Sequence, residues 1–221
     1  MNSIKRAVLL FIQKHERLQR ILLWKNNSFV KIVGKNNYTG SPFRYKNCHI
    51  EIKGNNNTLD ISTAAMLKQC KIVINGDNNH LKIMSGSIIE DSIFLLADHN
   101  NAVSIGMNCY VIKCLFSINE ETKIVIGESC LMGRADIRTS DNHSIIDQAS
   151  NLRINKSSDV QIGNQVWISN GAVIMKGVKI DCGSIVGAAS VVTKDVPSNV
   201  IVAGVPAKVV RENIRWIHER I

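Results

Sequence analysis

Proline and aromatic residues are scarce, with three prolines and 5% aromatics in 221 residues. No aromatic-rich RNP-type run and no zinc-finger spacing occurs, so nucleic acid is set aside as a partner. No Cys-x-x-Cys pair exists among Cys48, Cys70, Cys109, Cys114, Cys130 and Cys182, and a chain of this size does not need a disulfide framework. The six read as reduced, mostly buried thiols. No apolar run approaches the ~18 residues of a spanning helix, and the stretch Ala7–Ile12 gives way to Lys14 before it could serve as a signal peptide. A soluble, cytoplasmic chain with one sizeable core is expected. No two histidines have the spacing of a zinc pair, so no metal is expected.

Acids are missing where bases collect. Residues 1–35 hold eight Lys/Arg and one acid, so +7 of the formal net charge of +9 lies in this leader and the remainder is nearly balanced. Residues 3–24 set Ile4, Val8, Phe11, Leu18, Leu22 and other apolar residues between Lys5, Arg6, Lys14, Arg17 and Arg20. That period predicts a basic amphipathic helix over 1–28, which Ser3 would cap. It packs on its own domain or a partner subunit, or it lies peripherally on the inner face of an anionic membrane.

The repeat decides the fold. From Ile162 every sixth residue is aliphatic (Ile162, Ile168, Ile174, Ile180, Val186, Val192), and four residues after each comes a small or β-branched one (Val166, Ala172, Val178, Ser184, Ser190, Val196). Six matches neither the helical 3.6 nor simple two-residue alternation. A chain that turns a corner every six residues, three short strands per turn, stacks such a ladder inside a parallel β-helix. Gly163, Gly171, Gly177, Gly183 and Gly187 fall at the tight corners.

A looser version occupies 29–125, marked by Gly34-Lys35-Asn36-Asn37, Gly54-Asn55-Asn56-Asn57, Gly76-Asp77-Asn78-Asn79 and Asp98-His99-Asn100-Asn101, which recur 20, 22 and 22 residues apart. Asn and Gly tolerate left-handed corners and Asn side chains can stack along them, so these markers read as structural. The regular coils span 126–197, broken by a loop at 144–159. About eight coils at ~4.8 Å each give a prism of roughly 40 Å. Past Pro197 and Pro206 the chain leaves the repeat, and 212–221 reads as a short terminal helix.

The stretches Val166-Trp167-Ile168-Ser169-Asn170-Gly171-Ala172-Val173-Ile174, Gly187-Ala188-Ala189-Ser190-Val191-Val192-Thr193-Lys194-Asp195-Val196-Pro197 and Ile201–Arg211 resemble the C-terminal signature of the hexapeptide-repeat acyltransferases. The likeness is strongest to their CoA-dependent sugar O-acetyltransferase branch and covers about 126–211. Two positions depart from it, Ser169 and Ala189, both usually glycine. The resemblance implies a left-handed parallel β-helix, although parallel crossovers in general are right-handed.

It also implies a catalytic histidine on a corner before a loop, about one coil upstream of Trp167-Ile168, and His143 matches that place. Histidine can act as a base near neutral pH, as removal of a proton from a sugar hydroxyl requires. Asp141, a backbone carbonyl or a neighbouring subunit would orient its other nitrogen. By the same resemblance acetyl-CoA lies between subunits of a homotrimer, its pantetheine arm along Trp167, Asn170, Ala188 and Ala189, its phosphates near Thr193, Lys194 and Arg211. Trp167 would also touch the acceptor or cover a subunit contact. Arg138, with Arg134, Arg153 and Lys156, forms either a basic surround for an acidic acceptor or an ordinary solvated surface.

The expectation is direct acetyl transfer from acetyl-CoA to a sugar hydroxyl of capsule, O-antigen or another surface polysaccharide. No acyl-enzyme is implied, since Cys130 and Cys182 fall within the repeat where small core residues belong. N-acetylation of an amino sugar or small molecule and a non-catalytic β-helix scaffold are the alternatives. A sugar nucleotidyltransferase is set aside because there is no room for its nucleotide-binding domain. His15 and His218 fall in the extensions, and His49, His80 and His99 on corners, where they read as surface residues.

Overall fold

The computed structural model describes residues 27–40, 43–219 and 221. The leader helix expected over 1–28 therefore lies almost wholly outside the described residues. Within them the chain is all β, strands running from Phe29–Val33 to Ala207–Arg211 in three sheets of eight, seven and nine strands. Each sheet is one face of a solenoid, and successive strands on a face pair in parallel from one turn to the next until the final strand. Lys71–Asn75, His80–Ile83 and Ile88–Glu90 make one such turn across the first, second and third faces. The next begins at Ile93–Ala97, which registers Phe94 over Ile72 and Leu96 over Ile74. Seven turns contribute to all three faces and an eighth to two.

Strand alternation puts every second side chain inside, where period-two burial needs no second layer because each turn covers its neighbour. Ile162, Ile168, Ile174, Ile180, Val186 and Val192 are all buried, as are the small residues that follow each. Phe94 and Phe116 fill the wider upstream part, their rings stacked 4.7 Å apart. Small side chains stack at the corners because a larger one would push neighbouring strands off register. From third to first face the column runs Cys48, Cys70, Ser92, Cys114, Ala135, Ala172, Ser190, each carbonyl accepting from the preceding turn's next strand. Burial raises the Cys114 thiol to about 11, which keeps it protonated and inert. Cys182 departs from expectation. It is exposed, because it lies just before the corner glycine Gly183, and its Sγ accepts from the Asn164 amide at 3.2 Å.

The Asn-rich corners join the first and second faces. Asn57, Asn79 and Asn101 are buried and form a ladder: the Asn79 side-chain oxygen accepts from the Asn101 backbone and side chain, at 3.0 and 3.1 Å, and its own amide donates to Asn57 and to the Asp98 carbonyl. Outside them Asn36, Asn56, Asn78 and Asn100 take φ of 55 to 58°, a left-handed geometry that asparagine tolerates. Gly76 precedes them at φ +139°, and a Cβ there would stand 1.7 Å from the Asp98 carbonyl oxygen.

The C-terminal helix is not formed. Parallel winding ends when Ala207–Arg211 turns back antiparallel on Ile201–Gly204. Residues 212–219 then run without helix across the solenoid, held by bonds that a helix would have kept to itself. The Ile214 amide donates to the Asn199 carbonyl, and Trp216 Nε1 donates to the Gln165 carbonyl at 2.7 Å.

Candidate active site

Among the described residues the solenoid is interrupted by one long loop, between Asp136–Arg138 on the first face and Val160–Ile162 on the second. The loop's base is closed by the Ser158 amide on the Thr139 carbonyl. Beyond it the chain forms a small hairpin, bridged at Ile146 and Arg153. An aspartate turn at its tip, Ser150 N–H to Asp147 Oδ1 at 2.8 Å, lets the chain reverse.

His143 lies at the start of this excursion and is exposed. Its ring makes no hydrogen bond among the described residues; only its backbone is held. Asn155, buried, donates through Nδ2 to the His143 carbonyl at 2.7 Å and to Asp141 Oδ2 at 2.9 Å, while its Oδ1 accepts from the Ile145 amide at 2.7 Å. Lys176, from the corner one turn later, donates to Asp141 Oδ2 at 2.5 Å and to the Asn155 carbonyl at 2.8 Å. The Asp141 carboxyl is thereby held below the usual carboxylate range, first by Lys176 and then by Asn155. Asp141 reaches His143 through Asn155 and the backbone, not through the imidazole, so within this chain it is not the ring's orienting partner.

Two of the four cations proposed to surround an acceptor are engaged elsewhere. Arg153 donates twice to Glu120, and Arg138 pairs with Asp136. Arg134 and Lys156 are exposed.

The remaining site residues sit on other parts of the prism. Trp167 projects from the third face, 38% exposed, and its ring meets Trp216 at 6.0 Å. Asn170, Ala188 and Ala189 occupy the corner from third to first face, where the Ala189 amide donates to the Asn170 carbonyl at 2.9 Å. Thr193 and Lys194 are exposed on the first-to-second corner, and Arg211 ends the final strand on the third face. One chain thus places His143 on one edge and Trp167, Asn170, Ala188 and Ala189 beyond another, with the width of the first face between them. Beside Trp167, continuing the strand register brings Gly133, Ser169, Gly187 and Ala203 into one column of small residues. Three of the other four described histidines have structural work: His49 stacks on Phe29, His218 packs on Trp216, and His99 Nδ1 accepts from the Asp77 amide, while His80 is exposed on its strand.

This solenoid matches the crystal structure of the polysialic-acid-specific acetyltransferase NeuO with a TM-score of 0.82 and 33% identity, over 87% of this chain and 89% of that one. The chain belongs to the hexapeptide-repeat acetyltransferase family. The polysialic acid O-acetyltransferase OatWY matches with a TM-score of 0.83 at 28% identity, over 87% and 93% of the two chains. Among curated relatives, polysialic acid O-acetyltransferase of Escherichia coli O1:K1 / APEC is 38% identical over 100 residues, 45% of this chain and 33% of that protein. Galactoside O-acetyltransferase of Escherichia coli K12 is 36% identical over 110 residues, 50% of this chain and 54% of that protein. The matched region thus spans about a third to a half of these curated relatives' length. No family model matches the chain.

Among the described residues no group of three or more His, Cys, Asp and Glu could hold a metal, and no helix is long and apolar enough to cross a membrane. The residues that sequence reasoning missed are Asn155, Lys176 and Glu120. The contacts through which they hold the loop and the His143 backbone span 10 to 35 residues, and no local motif announces them.

Proposed function

We propose that this protein transfers an acetyl group from acetyl-CoA to a hydroxyl of a sugar unit in a cell-surface polysaccharide, with His143 as general base. The observation that carries the reading is the exposed imidazole on a loop rooted at a solenoid corner, in a chain that follows NeuO over 87% of its length. Neutral imidazole takes the proton of the acceptor hydroxyl as its oxygen attacks the thioester carbonyl. The tetrahedral intermediate collapses, the carbon–sulfur bond breaks, and the imidazolium returns the proton to the departing thiolate. The oxyanion donor in this reading is the Asn170 amide, because Trp167, Ser169 and Gly171 already donate to the Ser184, Val186 and Arg134 carbonyls.

The column Gly133, Ser169, Gly187 and Ala203 suits an extended pantetheine arm beside Trp167, and exposed Thr193, Lys194 and Arg211 suit the nucleotide phosphates. The separation of His143 from this groove supports a homotrimer in which one subunit supplies the base and its neighbour the donor groove. The loop hairpin adds to it, because Ile145, Ile146, Leu152 and Ile154 stand 53, 47, 65 and 64% exposed on a tip that projects from the prism. Since CoA thioesters are intracellular, the reaction belongs on the cytoplasmic side, with residues 3–24 as a peripheral contact to membrane or partner.

The acceptor to try first is polysialic acid, the sugar polymer in the names of both structural neighbours. Of the four cations expected around an acceptor, Arg134 and Lys156 are the exposed ones available to an acidic glycan. The test is thiol release from acetyl-CoA with polysialic acid and lipopolysaccharide fragments, comparing wild type with His143→Ala. Acceptor-dependent release that collapses in a folded mutant is expected. Absence of both release and CoA binding by calorimetry would leave a non-catalytic scaffold.

A further inference from the structure

Asn155 is 8% exposed, and its side chain is spent on the backbone either side of Ser144. One amide donates to the His143 carbonyl and accepts from the Ile145 amide, at 2.7 Å each. Two such bonds from one rigid planar group fix the peptides flanking Ser144, and with them the direction in which the His143 Cα–Cβ bond leaves the chain. The amide is itself held: Asp141 Oδ2 accepts its second N–H proton at 2.9 Å, and Lys176 spans Asp141 and the Asn155 carbonyl. We propose that Asn155 is the positioning residue of the catalytic base, clamped by the Asp141–Lys176 pair, so that Asp141 acts on His143 through this amide and not through the ring. The inference rests on His143 being the base.

The chemistry is specific to an amide. Aspartate has the same shape and can accept from Ile145, but it cannot donate to the His143 carbonyl and would set its charge against Asp141. Alanine would leave the His143 carbonyl and the Ile145 amide without partners. Glu120 anchors the same loop through Arg153, at 2.7 and 2.9 Å, and Arg153 also donates to Asn155 Oδ1 at 3.3 Å and to the Asn155 carbonyl at 3.4 Å. Glutamine at 120 removes the charge of the loop anchor but keeps an acceptor for Arg153 and leaves the Asn155 amide intact, so Glu120→Gln weakens the anchor without removing the bonds to the His143 and Ile145 backbone.

The test compares Asn155→Asp, Glu120→Gln and His143→Ala, using acetyl-CoA and polysialic acid, with thermal midpoints and CoA calorimetry beside the kinetics. A misplaced base costs on the order of a hundredfold in turnover. Asn155→Asp is expected to lose about that much kcat with acetyl-CoA affinity within about twofold, whereas Glu120→Gln keeps kcat within about threefold. A second readout needs no acceptor: the His143 imidazole resonance in histidine-labelled protein, narrow in wild type and Glu120→Gln, is expected to broaden or split in Asn155→Asp. Equal losses of kcat in Asn155→Asp and Glu120→Gln, or an unchanged His143 resonance in Asn155→Asp, would overturn the proposal while an inactive His143→Ala kept the base assignment. Full turnover by His143→Ala would remove the base assignment and the proposal with it.

Discussion

Arg153 reaches back from the loop hairpin to Glu120 on the turn below, and its two guanidinium nitrogens donate to the two carboxylate oxygens at 2.7 and 2.9 Å. This two-point contact holds the Glu120 carboxyl at about 2, well under its ordinary value of 4.5. A depressed carboxyl favours the folded loop above its ordinary value, and that contribution disappears as pH falls from about 4.5 to about 2. Asp141, lowered by Lys176, acts in the same direction. Amides of Ile145 and Ile154, which bond within the hairpin region, should lose hydrogen-exchange protection below pH about 4, after correction for intrinsic rates. Core amides of the Phe94 and Phe116 strands should keep theirs. Uniform loss across both groups would show that the loop has no separate acid transition.

Asn79 is fully buried with side-chain bonds to Asn57, Asn101 and the Asp98 carbonyl. Removing its amide strands several of these groups in a dry interior, at about 1–3 kcal/mol for each one left unpaired. Asn79→Ala should therefore cost about 2–4 kcal/mol in a urea melt. Asn78→Ala, on the exposed outer column, should cost about 1 kcal/mol, mainly through its left-handed backbone. Equal costs would mean that the inner ladder is no more than a surface decoration.

The core of this fold is written in local arithmetic. The six-residue ladder from Ile162 to Val196 and the Asn-marked corners at 36, 56, 78 and 100 each follow from one turn's sequence, because each turn contacts only its neighbours. The candidate site is legible only in its motif-bearing parts, His143 and the Trp167 stretch. Asn155, Lys176 and Glu120 meet across turns whose separation depends on the length of the loop, so nothing local foretells them. The C-terminal segment fails for a related reason. Its composition suits a helix, but Trp216 and Ile214 bond to Gln165 and Asn199 on the solenoid, and tertiary partners outweigh a propensity of a few tenths of a kcal/mol per residue.

Ala189 stands where the family signature that this stretch resembles has glycine, and it takes φ +55°. A left-handed alanine costs about 1–2 kcal/mol, part of which glycine returns as lost unfolded-state restriction. Ala189→Gly should raise stability by roughly 0.5–1 kcal/mol by calorimetry. Gly183→Ala makes the opposite change at φ +73°, with a Cβ 2.2 Å from Asn199 Oδ1, and should lower it. A destabilised Ala189→Gly would mean that the Ala189 methyl packs to greater effect than its backbone strains.

Leu152 and Ile154 are 65 and 64% exposed near the hairpin tip. Apolar residues on an ordered projection suit burial against a second copy of the chain. If the chain forms the homotrimer proposed above, replacing both by aspartate should shift it from trimer to monomer in sedimentation without altering the solenoid's circular dichroism. Because His143 and the Trp167 groove would then no longer meet, thiol release should fall with the trimer. A trimer that survives the double substitution would place the subunit contact on the sheet faces alone.

Trp216 is 6% exposed and its ring meets Trp167 at 6.0 Å, tilted by 52°. Such an aromatic pair contributes about 1 kcal/mol beyond its burial. The tail that carries it makes few other contacts, so Trp216→Ala should release residues 212–219 locally and leave the solenoid melt nearly unchanged. In a Trp24→Phe background Trp167 is then the remaining indole, one of three in the sequence, and its emission should shift to the red as water reaches the ring. If the pair also holds Trp167 against the donor groove, acetyl-CoA affinity should weaken about fivefold, the equivalent of that 1 kcal/mol. A red shift with unchanged CoA affinity would confine Trp216 to shielding the face, and would remove Trp167's orientation from the determinants of donor binding.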